Sequence, residues 1–159
     1  MQSADIKKPR KPGSGEHPAP GFLRRLGVVV YDALLLLAVL FLATAIALPF
    51  NAGQAFAPDQ YLYSLYLFGV TFLFYTWFWT HGGQTLGMRA WNITIENATG
   101  SHISWRQATL RFFAAILSWS CLGLGFIWCL FDKKGLCWHD RLSGTRLSWN
   151  RGEKIGQSK

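Results

Sequence analysis

The longest apolar stretch of the sequence runs from Leu26 to Leu48 and holds one charged residue, Asp32. About 20 apolar residues are enough to cross the hydrocarbon core of a bilayer, so this stretch predicts a transmembrane helix. A carboxylate at the centre of such a helix costs about 3 kcal/mol to insert, and less nearer an interface. Arg25 lies two helical turns earlier and is too distant for direct contact, so Asp32 needs another partner or a wet cavity. A buried structural hydrogen bond and a proton or cation site both remain open.

Two further apolar regions, at residues 61–80 and 108–131, bring the prediction to about three spans. The second carries tyrosine and tryptophan toward its ends, as interfacial belts do. The third begins near Arg111 and is interrupted by serine and glycine, so it is either a plain span or a broken or re-entrant helix that turns near Leu122–Gly125. The predicted fold class is an all-α integral membrane protein with three transmembrane helices at about 26–48, 61–80 and 108–131.

The distribution of basic residues predicts the orientation of these spans. Six Lys and Arg residues precede the first span, and the connection 49–60 has none. The positive-inside rule therefore places the N-terminus in the cytoplasm. Seven more Lys and Arg residues follow the third region, and they remain on the cytoplasmic side only if that region turns back. No stripe of basic residues alternates with exposed aromatics, so we expect no nucleic-acid partner.

The ends of the chain differ in composition from its middle. Residues 1–20 are polar, basic and proline-rich, which predicts a disordered N-terminal tail. Residues 21–149 form the predicted membrane domain, and residues 150–159 a basic C-terminal tail.

Short segments of alternating polarity predict a small β element on the cytoplasmic side. Trp91–Glu96 alternates apolar and polar residues, and Asn97–Gly100 has turn chemistry. Ser101–Trp105 is then a candidate return strand. Thr145–Trp149 also alternates and would pair with Trp91–Ile95, provided that the tail is inside.

The sequence offers little support for catalysis or metal binding. The three cysteines are odd in number and form no Cys-x-x-Cys pair, so we expect no disulfide, metal or cofactor. No nucleophile–base arrangement is recognisable, and we expect no enzyme. His139 and Asp140 could form a proton relay. The alternative is an interfacial turn in which Asp140 caps the turn or pairs with Arg141.

Four short motifs, taken in order, resemble those of the RDD family of membrane proteins. Arg25, Val28 and Asp32 fill its opening pattern of an arginine, a small residue three later and an aspartate seven later. The segment Gly83–Arg89 is similar to its Gly-Gln-Thr-x-Gly-Lys-Arg loop, with Met88 in place of the lysine.

The rest of the resemblance lies toward the C-terminus and extends it over about residues 22–149. Arg111 matches the arginine that opens the family's third apolar region. The segment His139–Thr145 is similar to the closing His-Asp-Arg-x-x-Gly-Thr motif. The loss of the loop lysine at Met88 puts in doubt any function that depends on that charge.

The resemblance implies a bacterial inner-membrane protein with about three spans. The residues that it carries over as functional are Arg25, Asp32 and Asp140. The supporting residues are Arg89, Arg111, His139, Arg141 and Thr145, and the loop motif contributes Gly83, Gln84, Thr85 and Gly87.

Two functions are compatible with these residues. The first is transport of ions or small solutes, for example proton–cation exchange, with Asp32 as the intramembrane binding group. The alternative is a structural or accessory membrane subunit in which the arginine–aspartate network fixes helix packing. The expected partners are the lipid bilayer and either a second copy of the chain or other membrane proteins.

Overall fold

The computed structural model describes residues 19–57, 59–132 and 135–149. The predicted C-terminal tail at 150–159 lies outside the described residues, as does the predicted N-terminal tail up to residue 18. Its last two residues, Ala19 and Pro20, are described, and Pro20 is buried. The carbonyl oxygen of Pro20 accepts a hydrogen bond from Nε of Arg25 at 3.1 Å. The packed part of the chain therefore begins slightly before the predicted boundary.

Two long helices match the first two predicted spans. Helix α1 covers Phe22–Ala47 and continues into a short 3-10 turn, Leu48–Asn51. Helix α2 covers Tyr61–Gly82. Both are long and apolar enough to cross a membrane, and most of their side chains face outward from the structure. A helix that is apolar on nearly every face avoids water only if lipid or another protein covers it.

The third apolar region is a bent pair of helices. Helix α4, Trp105–Ser120, is followed after a turn by Leu124–Leu130, which comprises helix α5, Leu124–Ile127, and a 3-10 turn; the bend is 107°. Leu122 and Gly123 both have positive φ angles at the break, where glycine is favoured. The structure therefore has the broken helix, and the pair is a third candidate span only if both arms are taken together.

Two short strands form the β element. Strand β1, Ile93–Asn97, pairs antiparallel with strand β2, Thr145–Trp149, so the predicted pairing is confirmed. The return strand predicted at Ser101–Trp105 is wrong. Ser104 instead caps helix α4, accepting from the backbone N–H of Gln107 while the Gln107 side chain accepts from the Ser104 N–H. The Ser-x-x-Gln pattern of a capping box is present in the sequence, and it indicates a helix start rather than a strand.

The small hydrophobic core lies where the sheet meets the ends of α2 and α4. Ile93 and Ile95 point from one face of β1 toward Trp79 of α2 and Phe112 of α4. Two short helices complete this end: α3, Leu86–Ala90, and α6, Trp138–Ser143. The first turns of α1 contact them both, so residues from the two ends of the described chain converge there.

Candidate functional site

Two buried arginines share one buried aspartate at this end of the bundle. Nη1 of Arg25 lies 3.2 Å from Oδ2 of Asp140, and Nη1 of Arg111 lies 2.5 Å from Oδ1. None of the three is more than 4% exposed. We call these residues the arginine–aspartate cluster. Because Arg25 and Asp140 are 115 positions apart, the cluster ties the start of α1 to the C-terminal part of the chain.

The remaining donors of Arg25 bind the segment that leads into α6. Nη2 donates to the carbonyl oxygen of Gly135 at 2.6 Å, and Nη1 also approaches Sγ of Cys137 at 3.1 Å. Nη1 of Arg111 donates in addition to Oγ1 of Thr145, at 2.6 Å. The two guanidiniums therefore hold α1, α4, α6 and the start of β2 together.

Asp140 is held as a carboxylate by its surroundings. Its Oδ2 accepts the backbone N–H of Cys137 at 2.9 Å, which caps the first turn of α6. Burial alone would raise the pKa of Asp140, but nearby positive charge, that of Arg111 above all, holds this pKa well below its usual range. The predicted pair with Arg141 is wrong, because Arg141 is exposed and pairs with Asp132.

His139 lies beside Asp140 but does not form the hydrogen bond that the predicted proton relay requires. Its Nε2 lies 3.6 Å from Oδ1 of Asp140, which is too long for a hydrogen bond. Its Nδ1 is buried and has no hydrogen-bond partner among the described residues. Burial, followed by the charge of Arg111, lowers the pKa of His139 to about 4, so the ring is neutral at pH 7.

Cys137, His139 and Asp140 bring one potential metal ligand each to within 4.8 Å of one another. This group does not suit a cation. Both carboxylate oxygens of Asp140 already accept from guanidiniums, and burial raises the pKa of the Cys137 thiol, whereas metals bind thiolate. The prediction of no metal site stays a prediction for the chain as a whole.

Asp32 occupies a separate position, against helix α3. Its Oδ2 accepts from Oγ1 of Thr85 at 2.6 Å, and its Oδ1 accepts from the backbone N–H of Gly87 at 2.9 Å. Thr85 is the N-cap of α3 and accepts the N–H of Met88 at 3.1 Å. Arg25 is directed toward Asp140 and makes no contact with Asp32, as the two-turn separation along α1 predicts. The charged residues that the sequence groups into one network therefore form two separate sites, one at Asp140 and one at Asp32.

The loop motif builds the wall against which Asp32 packs. The carbonyl oxygen of Gly83, at φ +63°, accepts from the N–H of Ile95 at 2.7 Å. The Gln84 amide donates to the carbonyl of Ile93 at 3.0 Å and to Oγ1 of Thr94 at 2.8 Å. These bonds fasten the loop to β1 and so fix the position of α3.

Two members of the predicted site region lie away from both carboxylates. Met88, at the position of the family's lysine, is 3% exposed and packs in the core. A lysine in this environment would bury its ammonium group, so the apolar residue suits this packing. Arg89 is exposed on α3 and is outside the arginine–aspartate cluster.

A cavity of about 430 Å³ lies between α1, α2 and α4 and connects the two carboxylate regions. Its walls are mainly apolar and aromatic, and its polar lining residues include Asp32, Arg111, His139 and Ser118. The hydroxyl of Ser118 is buried and has no partner in the described part of the chain. Sequence reasoning did not single out Ser118 or Cys137, since neither an isolated serine within an apolar run nor a lone cysteine carries a signal of its own.

Comparison with known proteins agrees with this geometry. The model of the RDD family matches residues 19–144, a range that contains Arg25, Asp32, Arg111 and Asp140. Searches of curated proteins and of solved structures gave no significant match. Since the family model covers most of the chain, this protein belongs to the RDD family.

Proposed function

We propose that the chain is a multi-pass protein of the bacterial inner membrane with both ends in the cytoplasm. Arg25, near the start of α1, bonds to Gly135 and Asp140, which follow the third apolar region. The segment 135–149 thus lies at the end of the bundle where α1 begins, which the bend in the third region permits. The positive-inside rule favours the same arrangement, because it keeps both basic ends inside.

Within that membrane domain we propose that Asp32 binds a proton or small cation and that the protein transports it. The observation that supports this is the placement of Asp32: it is 4% exposed, lies on the wall of the cavity, and forms no ion pair with a described Lys or Arg. Ionisable side chains inside membrane segments are rare, and they mark ion pathways and proton relays.

The contacts of Asp32 suggest how binding couples to movement. As a carboxylate, Asp32 accepts from Thr85 and from the N–H of Gly87. A protonated carboxyl has one acceptor fewer and a donor of its own, so it binds these two donors less well. Proton uptake would therefore loosen α3 from α1, and this shift is the proposed step that opens one end of the cavity. A second copy or another membrane protein would complete the enclosure of a pathway this small.

A structural or accessory role is the second candidate, and the arginine–aspartate cluster favours it. Both carboxylate oxygens of Asp140 are bonded, and the three helices that they join, α1, α4 and α6, lie far apart in the chain. Removing one partner from such a buried group costs several kcal/mol, which suits a residue that maintains packing. In this view the hydrogen bonds of Asp32 likewise hold α1 against α3. We propose no catalytic activity under either function.

The deciding experiment measures proton and Na⁺ flux into liposomes that hold the purified full-length chain. Asp32→Asn keeps the shape of the side chain, and we expect it to abolish flux while the protein remains folded. Asp59→Asn is the matched control, because Asp59 is an exposed carboxylate in the connection before α2, and it should transport normally.

The alternatives give different results in this assay. Unchanged flux by Asp32→Asn would refute the transport role of Asp32. Absence of flux in the folded wild-type protein, together with loss of assembly in Asp32→Asn, would favour the structural role.

A further inference from the structure

The arginine–aspartate cluster carries an excess of positive charge. Two buried guanidiniums share the single carboxylate of Asp140. His139 is neutral at pH 7, and Cys137 remains a thiol because burial raises its pKa. Asp32, the other carboxylate on the cavity, forms no ion pair with either arginine among the described residues. An uncompensated buried charge is costly, so this site favours an added anion.

Several hydrogen-bonding groups beside the excess charge have no partner among the described residues. All the hydrogen bonds of Arg111 within the described chain leave from Nη1, so Nε and Nη2 are available to a ligand. The Ser118 hydroxyl and Nδ1 of His139 are buried without a partner. Buried polar groups are almost always hydrogen-bonded in native proteins, and here all three residues line one cavity.

The body of that cavity suits a hydrocarbon chain. Phe68, Tyr75, Phe112 and Ile116 are among the residues that form its walls. Its volume of about 430 Å³ is within the usual range of sites for small organic ligands and far exceeds what a bare cation or one water molecule would fill. The cavity therefore combines an apolar chamber with a cationic, donor-rich end.

We propose that this cavity binds an amphiphile with an acidic head and an acyl chain, its head at the Nε and Nη2 groups of Arg111. A fatty-acid carboxylate and a phospholipid phosphate share this chemistry. Either would neutralise the excess charge of the arginine–aspartate cluster and accept hydrogen bonds from Nε and Nη2 of Arg111. The proposal goes beyond transport by Asp32, and its test uses none of the contacts of Asp32.

The test measures equilibrium binding of radiolabelled oleate to the purified full-length chain in a neutral detergent, with oleyl alcohol as the uncharged probe of equal chain length. We expect oleate to bind at least about tenfold more tightly, since only its head is a charged acceptor. Ala115→Phe should remove oleate binding, because Ala115 lines the cavity and the larger ring fills it. Ala38→Phe, at an exposed position of α1, is the matched control and should bind normally.

Ala115→Leu is a smaller change that keeps the test valid if Ala115→Phe does not fold. It should weaken oleate binding several-fold, because the larger side chain takes up part of the cavity. Competition identifies the natural source: displacement by phosphatidylglycerol but not phosphatidylcholine indicates an anionic phospholipid, and displacement by neither indicates a free fatty acid. Equal affinities for oleate and oleyl alcohol would overturn the proposal, as would normal oleate binding by folded Ala115→Phe or by Ala115→Leu.

Discussion

Gly87→Ala tests whether the contact between Asp32 and helix α3 is as close as the structure shows. A Cβ atom added at Gly87 would lie 2.6 Å from Oδ1 of Asp32 and 3.0 Å from its Cγ. It would also lie 3.0 Å from the backbone carbonyl oxygen of Val28. The carboxylate can move away only by breaking its bond with the Gly87 N–H, and the backbone at Val28 cannot move without shifting α1.

The expected cost follows from these contacts. Losing a hydrogen bond to a charged group costs about 2 kcal/mol, and crowding a packed contact costs about 2 kcal/mol more. Replacing glycine by alanine within a helix returns about 1 kcal/mol. We therefore expect Gly87→Ala to lower the free energy of unfolding by about 3 kcal/mol.

The assay is reversible unfolding in mixed micelles of increasing SDS fraction, followed by circular dichroism. Gly69→Ala is the matched control, because a Cβ atom at Gly69 in α2 meets nothing within 4 Å. It should be neutral or slightly stabilising. If Gly87→Ala unfolds at the same SDS fraction as Gly69→Ala, the close packing of Asp32 against α3 is refuted.

Two further predictions concern the arginine–aspartate cluster and its neighbour. Asp140→Asn leaves two guanidiniums buried without a carboxylate, so we expect a loss of about 3–5 kcal/mol in unfolding free energy and low abundance in membranes. The control Asp59→Asn should change neither quantity. A stable Asp140→Asn protein would contradict the buried ion pairs. The pKa of His139 is lowered from 6.5 to about 4 in the folded protein, so below pH 6.5 the unfolded chain binds more protons and stability falls as the pH decreases. We expect a loss of about 2 kcal/mol between pH 7.5 and 5, measured by the same SDS titration; His139→Gln should remove it, and an equal pH dependence in that variant would exclude His139 as the cause.

The two aspartates of the family pattern thus have different surroundings in this chain. Asp140 faces two guanidiniums and a backbone N–H, and its charge is fixed across the physiological pH range. Asp32 faces a hydroxyl, a backbone N–H and a cavity. A residue with a permanent counter-charge suits packing, whereas one without it is free to exchange its proton. This difference is the reason for proposing separate roles.

The long helices and the strand pairing could be predicted because their signals are local. The apolar run at 26–48 exceeds the length of a bilayer core, and alternation marks Thr145–Trp149 as a strand. The prediction of a return strand at Ser101–Trp105 was wrong for a local reason as well. Its short alternating pattern competed with the capping box of Ser104 and Gln107, and a cap that satisfies backbone donors at a helix start outweighs so brief a pattern.

The partners of the charged residues were decided by the tertiary structure. The residues near Arg25 in the sequence do not identify Asp140 as its partner. The two meet only because the third region bends and returns the segment 135–149 to the start of α1. The same bend leaves the cavity beside Ser118 and His139. Sequence by itself determined which residues avoid water and which carry charge, since these are properties of single side chains. Which charges neutralise one another, and which remain in excess, depended on distances that only the folded chain sets.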